Sequence, residues 1–182
     1  MPSFPFTTIG IMDIALGVLL LVSSFIASPL TAPREGPHVR TEDAFVRATI
    51  DAGIAGSPLF RDLVAQIDES NVIVYVATDC TMPSFLLGKT TFMSSGGGRR
   101  YVMIGIACGR ADRERIAILA HELQHAAEIA AAPAIVDQST LAAEYQRIGF
   151  MSDGFARGKG FETHAAIDAG RRVWAELSRD GE

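Results

Sequence analysis

The chain has 182 residues, of which 48% are hydrophobic and 20% are charged, and its formal net charge is −5. This composition suits one folded domain with a short appendage and argues against general disorder. The basic residues form no stripe interleaved with aromatic side chains, so we expect no nucleic-acid partner.

The N-terminal part of the chain is strongly apolar over residues 9–26. Residues 1–33 are therefore predicted to be a signal peptide or an N-terminal membrane anchor. Asp13 would be costly in lipid, which favours the signal peptide, although no Lys or Arg precedes the apolar run. We expect an exported protein (periplasmic or extracellular) or a membrane-anchored one, with membrane association through residues 9–27. The alternative is a buried helix of a cytoplasmic protein.

The segment after the apolar run is rich in proline and glycine. Residues 34–40 are predicted to be a linker in which His38 is solvated. The folded domain is expected over residues 41–182.

Two helices are predicted at the start of this domain. Residues 41–43 can cap a helix that runs to about residue 52, where a glycine-containing stretch, 53–56, would end it. Ser57 and Pro58 indicate the start of a second helix, which would end near residues 70–71.

The spacing of apolar residues then changes from the helical period to one typical of strands, which indicates a sheet. Residues 72–77 form a β-branched run typical of a strand, and a second strand is predicted over 84–93. Residues 94–98 read as a turn. Residues 101–107 are apolar at nearly every position, which predicts a central strand. Two strands joined by a short glycine loop are expected to pair antiparallel.

Three helices are predicted to complete the chain. One follows the N-cap candidate Asp112 to residue 132, one follows Asp137 to residue 149, and the last spans residues 161–179. The order of helices, a small sheet and further helices predicts an α+β domain. The sheet of this domain is expected to be small and antiparallel or mixed.

Cys80 and Cys108 are the two cysteines of the chain, and no CxxC motif exists. A thiolate zinc site is therefore disfavoured. Both cysteines lie at predicted strand ends. They would form a disulfide if the domain is exported, or remain two buried thiols if it is not.

The sequence His121-Glu122-Leu123-Gln124-His125 carries the clearest chemical signal, an HExxH motif within a predicted helix. Residues four apart face the same side of a helix, so His121 and His125 can bind one metal ion. Glu122 is rotated by about 100° from His121, which removes it from the ligand row. Its carboxylate can then act as general base on a water beside the metal.

The stretch of residues 118–126, Ile-Leu-Ala-His-Glu-Leu-Gln-His-Ala, resembles the zincin metallopeptidases. The resemblance covers the motif helix and the order of strand and helix, and it says little about residues 1–70. It implies a Zn²⁺ cofactor and hydrolysis of a peptide or protein substrate with Glu122 as general base. It also implies that the motif helix lies beneath a small sheet whose edge strand binds the substrate.

A catalytic zinc usually has three protein ligands, and two glutamates are candidates for the third. Glu162 is preferred because the chain between it and His125 is long enough to fold back and approach from another direction. The other interpretation of Glu162 is an acidic residue in the first turn of the last helix, where it would favour the helix dipole. Glu128 is the alternative ligand, but it lies on the same stripe of the same helix, so a contact with the ring of a metal-binding histidine or a solvated position suits it better. Here the chain resembles the gluzincins, in which a downstream helix supplies a glutamate ligand. Metzincins and aspzincins are disfavoured, because the ligand that each places after the second histidine is missing.

Other polar residues support weaker hypotheses. His164, beside Glu162, would stabilise an oxyanion, occupy the second shell or lie at the surface. Tyr145 would donate to an oxyanion or pack in the core. Asp137 is interpreted as a helix cap rather than as a partner of an imidazole. The glycines of residues 96–98 are not a P-loop, since no Lys-Ser/Thr follows them.

The function predicted from these residues is a zinc-dependent peptidase. The main alternative is a non-catalytic zinc-binding or structural domain anchored at the membrane, although such a domain has no need of Glu122. A third hypothesis is an interaction domain in which the motif occurs by accident.

Overall fold

The computed structural model describes residues 36–151 and 160–179. The signal peptide or anchor predicted for residues 1–33 lies outside these ranges. None of the helices within the described ranges combines the length and apolarity needed to cross a membrane.

Strand β1 (Val39–Arg40) corrects the end of the linker predicted over residues 34–40. It pairs in parallel with strand β2 (Val72–Asp79). His38 is buried rather than solvated, and its backbone N–H donates to Asp68 Oδ1 at 2.7 Å. The fold therefore begins before the predicted boundary, because these residues complete the sheet.

Helices α1 (Ala44–Gly56) and α2 (Pro58–Asp68) follow. Asp43 caps α1 and Ser57 caps α2, since each side chain accepts hydrogen bonds from backbone N–H groups of the first turn. Both N-terminal caps agree with the prediction.

Helix α1 does not end at Gly53, where a break was predicted. A Cβ atom at Gly53 would lie 2.8 Å from the ring of Phe60. The glycine therefore permits α1 and α2 to pack closely, and the helix continues through it because packing outweighs its low propensity.

A four-stranded mixed sheet has the order β1-β2-β4-β3, where β3 is Gly88–Gly96 and β4 is Arg99–Ala107. The pair β2–β4 is parallel and the pair β3–β4 is antiparallel. β4 is central, as predicted. β3 begins four residues later than predicted, and Gly97 and Gly98 turn the chain into β4 with positive φ angles of 58° and 75°.

The second half of the chain contains helices α3 (Asp112–Ala131), α4 (Gln138–Ile148) and α5 (His164–Arg179). The two-residue strands β5 (Phe150–Met151) and β6 (Phe161–Glu162) pair antiparallel between α4 and α5. These two strands were not predicted.

Two predictions about helix starts are wrong. Asp112 is the first residue of α3 rather than its N-cap, and its carboxylate pairs with Arg115 at 2.9 Å. Glu162 does not begin the last helix but lies in β6, two residues before α5. The cap role of Asp137 is confirmed, because its side chain forms a capping box with Thr140.

One face of the sheet carries the core. Alternate residues of β2 and β4 are buried there against the helices, and the other face is more exposed. The described residues form an α+β fold of five helices and a small mixed sheet. The largest fully buried core side chains are those of Phe60, Ile67, Ile104, Ile106, Leu119, Leu123, Ile129 and Ile135.

Candidate metal centre

Helix α3 presents the rings of His121 and His125 on one side, one turn apart. Their ring centroids are 5.0 Å apart and the ring planes are nearly perpendicular, at 81°. Leu119 and Leu123 of the same helix are fully buried in the core. Their burial fixes the rotation of α3 about its axis and hence the direction in which the two histidines point.

Strand β6 brings Glu162 to these two rings. Its Oε2 lies 3.2 Å from His121 Nε2, and its Oε1 lies 3.3 Å from His125 Nε2. A Cβ atom at Gly149 would lie 2.6 Å from the carbonyl oxygen of Glu162. The glycine after α4 therefore lets β6 pass close enough to reach α3.

These three residues form a group that could hold a metal ion. Their candidate ligand atoms all lie within 4.8 Å of one another. Ligands bound tetrahedrally at 2.0–2.1 Å from one ion are roughly 3.3 Å apart, close to the two distances from Glu162 to the rings. The predicted ligands His121, His125 and Glu162 are thus brought together, from two separate elements.

The Nδ1 atom of His125, on the ring side away from Glu162, contacts Glu128 and Tyr145. His125 Nδ1 lies 3.0 Å from Glu128 Oε2 and 3.2 Å from the hydroxyl oxygen of Tyr145. Thr163 Oγ1 donates to Glu128 Oε1 at 2.7 Å. These contacts direct His125 Nε2 towards Glu162. Glu128 thus contacts the ring of His125 and is not part of the group formed by His121, His125 and Glu162.

Glu122 points to the edge strand of the sheet. Thr90 Oγ1 of β3 donates to Glu122 Oε2 at 2.7 Å and lies 3.2 Å from the Glu122 carbonyl oxygen. A Cβ atom at Gly88 would lie 2.5 Å from Glu122 Oε1. The glycine and the threonine together leave room for the carboxylate and fix its orientation.

The site shifts the ionisation of its carboxylates in opposite directions. Burial raises the pKa of Glu122, while the nearby imidazoles of His125 and His121 and the Thr90 hydroxyl oppose this effect. Burial also disfavours ionisation of Glu162, but hydrogen bonds from both imidazoles hold its pKa well below the usual range. Two neighbouring carboxyl groups thus differ in ionisation, because the pKa of Glu122 is raised and that of Glu162 is lowered.

His125 and Tyr145 are shifted as well. Burial opposes protonation of His125, but the hydrogen bonds with Glu128 and Glu162 outweigh it and raise its pKa to about 10. Burial and the Glu128 carboxylate raise the pKa of Tyr145 well above its ordinary value, so the phenol stays protonated. A protonated phenol beside His125 can donate a hydrogen bond to the Glu128–His125 pair or to the backbone.

An open cavity of about 870 Å³ contains the site. Its size is in the range of small-molecule and cofactor sites. Helix α3 forms the floor, and β3 with the loop before it forms one wall. Helices α4 and α5 and strand β6 supply the rest. Apolar side chains at the cavity include Phe85, Leu87, Ile118, Leu141, Phe161 and Ile167.

His164 and Tyr145, the two weaker candidates for an oxyanion contact, lie in different environments. His164 is exposed, and its ring packs against Phe150 with centroids 4.8 Å apart, so it does not line the cavity. Tyr145 is buried at the lining of the cavity, and its hydroxyl contacts His125. The helical spacing of Tyr145 was sufficient to predict its burial, but its contact with His125 depends on how α4 packs.

A disulfide joins Cys80, after β2, to Cys108, after β4. The adjacent parallel strands end side by side, which brings the two cysteines together. The intervening chain includes the wall of the cavity formed by residues 85–91. The disulfide thus anchors the segment that faces Glu122.

No protein-family model matches the chain, and the searches of curated proteins and of solved structures found no match either. Function is therefore inferred from the residues of the site.

Proposed function

We propose that this protein is a zincin-like zinc peptidase in which His121, His125 and Glu162 bind the metal and Glu122 is the general base. The observation that carries the proposal is the convergence of this His-His-Glu group with a buried second carboxylate in one open cavity. The gluzincin resemblance of the sequence agrees with the ligand set.

The donor set fits zinc. Two imidazole nitrogens and one carboxylate are the protein ligands of one common class of catalytic zinc site. Metal-binding histidines usually have the remaining ring nitrogen held by a carboxylate or carbonyl group, as Glu128 holds His125. The side of the group that faces the cavity leaves space for water and substrate.

The reaction proposed is attack of water on a peptide carbonyl. A bound zinc ion would lower the pKa of a water to about 7 and polarise the carbonyl group. The Glu122 carboxylate accepts the proton of the attacking water and returns it to the leaving amine. Its raised pKa suits this exchange, because a base works best when its pKa approaches the working pH. Thr90 keeps the carboxylate oriented through its 2.7 Å hydrogen bond.

The substrate is proposed to pair with the edge strand β3. Ala107 N–H donates to the Leu87 carbonyl, so these two residues form a hydrogen-bonded pair of the β3–β4 ladder. In an antiparallel ladder, hydrogen-bonded residue pairs alternate with pairs that form no hydrogen bonds to each other. The backbone groups of Gly88 and Thr90 therefore point away from β4, towards the open edge. An extended peptide can add to such an edge through main-chain hydrogen bonds.

The alternative is the non-catalytic zinc-binding or structural domain. A structural zinc site is normally closed by four protein ligands, whereas this group has three and faces a cavity. A buried Glu122 would serve no purpose in such a site and would cost stability. We therefore favour the peptidase.

An exported or membrane-anchored location is part of the proposal. Disulfides persist in oxidising compartments, and Cys80 and Cys108 form one. The apolar residues 9–26 agree with export.

Metal analysis and a peptide library test the function together. The purified protein should contain about one zinc per chain and should cleave peptides in a chelator-sensitive manner. Glu122→Gln should keep the zinc and lose at least about 100-fold in kcat, because general-base catalysis contributes that much or more. Glu162→Gln should lose both zinc and activity, while Glu69→Gln, an exposed control outside the cavity, should lose neither.

The outcomes separate the alternatives. Zinc without hydrolysis of any library peptide would favour the non-catalytic domain. Absence of zinc after reconstitution, with unchanged stability, would leave an interaction domain and refute the metal site.

A further inference from the structure

We propose that Gln138 ends the peptide-binding edge of β3 and so limits how many substrate residues bind on one side of the scissile bond. This inference rests on the proposed function and deepens it by naming the length of substrate that the cavity accepts. Its basis is a contact between α4 and β3.

Gln138 forms a hydrogen bond with Phe92, the next residue of β3 whose backbone groups face the open edge. Outward-facing backbone groups alternate along β3, so Phe92 follows Gly88 and Thr90 in this series. The carbonyl oxygen of Phe92 accepts a hydrogen bond from Gln138 Nε2 at 2.6 Å. Although a carbonyl oxygen can accept two hydrogen bonds, the side chain of Gln138 occupies the outward side of this one, where a substrate strand would lie. The first residue of α4 therefore occupies the place of a substrate N–H group.

The strand is also irregular beyond this point. The register of β3 with β4 shifts between Phe92 and Ser94, which leaves Met93 in a β-bulge. Bulges bend the strand and increase its twist, so they interrupt pairing at an edge. Ser95 Oγ donates to the Val136 carbonyl at 2.8 Å, and this second contact keeps the loop before α4 against the strand.

The stretch of β3 between the contact with Glu122 and the contact with Gln138 is short. Thr90 touches the Glu122 carboxylate and therefore marks the reacting centre on β3. Phe92 lies two residues further, and two residues of an antiparallel strand span about 6.8 Å. The edge thus has room for about two substrate residues between the scissile bond and Gln138.

The other direction is open and apolar. Phe85 and Leu87 precede β3, and their side chains are 57% and 40% exposed. Both line the cavity beside Ile118. Exposed apolar side chains at a cleft are typical of ligand contacts. The substrate class expected is an extended peptide that has apolar residues towards Phe85 and only about two residues towards Gln138.

Truncation of a good substrate measures this limit. A quenched fluorescent decapeptide library gives a cleaved sequence, which is then shortened residue by residue from each end. On the side of the scissile bond that faces Gln138, kcat/KM should rise as the first and second substrate residues are added. Addition of the third residue should change kcat/KM by less than about 2-fold. In Gln138→Ala the third residue should improve kcat/KM by about 3- to 10-fold, since one more main-chain hydrogen bond forms. Ser95→Ala is the matched control, because it loosens the contact with α4 without freeing Phe92.

Peptide binding gives a readout that does not depend on hydrolysis. Fluorescein-labelled extended peptides of increasing length, with apolar residues at one end, are titrated into Glu122→Gln and into Glu122→Gln with Gln138→Ala, and anisotropy gives the dissociation constants. Affinity should stop improving at the same residue in the first protein and continue in the second. This binding pattern, together with no hydrolysis of the peptides by the wild-type protein, would support the edge limit while refuting the peptidase.

Three results would overturn the inference. One is a third residue that already improves wild-type kcat/KM 3-fold or more on both sides. Another is an equal gain in Gln138→Ala and Ser95→Ala. The third is the absence of both binding and hydrolysis across the series, which would remove the substrate edge and the peptidase together.

Discussion

The hydroxyl of Thr90 is the clearest example of a residue whose role depends on the folded chain. It lies on the edge strand, 32 residues before Glu122, and donates to that carboxylate at 2.7 Å. Its position in a polar stretch of β3 gave no signal in the sequence, because threonine is common in strands. Only the packing of β3 on α3 reveals the contact.

Replacement of Thr90 tests its positioning role. Thr90→Val keeps the shape but removes the donor, so the Glu122 carboxylate loses its fixed orientation. We expect kcat to fall about 10- to 100-fold with bound zinc unchanged, since a misoriented base lowers the rate of proton transfer. Thr90→Ser should restore most of the activity. Equal loss in the serine and valine variants would show that the methyl group, and not the hydrogen bond, matters.

Glu128 is a second residue with a positioning role, because its carboxylate contacts the ring of His125. Glu128→Gln keeps the side-chain volume but removes the negative charge 3.0 Å from His125 Nδ1. Loss of such a partner typically weakens metal affinity about 10- to 100-fold. Competition with a zinc-binding chelator measures the change. If instead Glu128→Gln abolishes zinc binding while Glu162→Gln keeps it, the assignment of the third ligand is reversed.

At the scale of elements, α4 begins at a cap that depends on pH. Hydrogen bonds from the Thr140 backbone and then from the Ser139 and Thr140 side chains lower the pKa of Asp137 from its ordinary 3.8 to about 2. A carboxyl group with a lowered pKa in the folded state stabilises the fold above its unfolded-state pKa. That contribution is lost as the pH falls from about 4 through about 2.

Asp137→Asn isolates this effect. Asparagine can cap a helix but does not titrate in this range. Urea unfolding midpoints of the two proteins, measured between pH 6 and pH 2, should differ most above pH 4 and converge towards pH 2. All other carboxyl groups are common to both proteins, so their titration cancels in the comparison. A constant difference at every pH would refute the role of the ionised cap.

The elements that follow from local patterns were predictable, and those fixed by contacts distant in sequence were not. Helix α3 carries its own signal, because the apolar residues and the HExxH spacing share one helical period. The placement of Glu162 required β6 to pair with β5 across residues 152–159, which lie outside the described residues. A two-residue strand has no period to detect. Gly53 was misread for a similar reason, since its contact with Phe60 depends on how α1 and α2 pack.

At the scale of the whole molecule, the cavity joins segments from both sides of the motif helix. The wall facing Glu122 comes from residues 85–91, which precede α3, whereas Glu162 follows it. The disulfide between Cys80 and Cys108 encloses the first of these segments but none of the residues proposed to bind the metal. Stability and metal binding should therefore respond differently when it is broken.

The variant with Cys80→Ser and Cys108→Ser tests this separation. Closing a loop between residues 28 apart stabilises a fold by about 3–4 kcal/mol, because it restricts the unfolded chain. Guanidinium unfolding should show a loss of this size relative to the oxidised wild type, and a reductant should reproduce it in the wild type. Zinc content should remain about one per chain, because α3 and β6 lie outside the loop, whereas peptide affinity should fall as the wall loosens. Loss of zinc in a variant that still unfolds cooperatively would contradict this division, and it would mean that the β3 wall supports the proposed metal-binding residues as well as the proposed substrate edge.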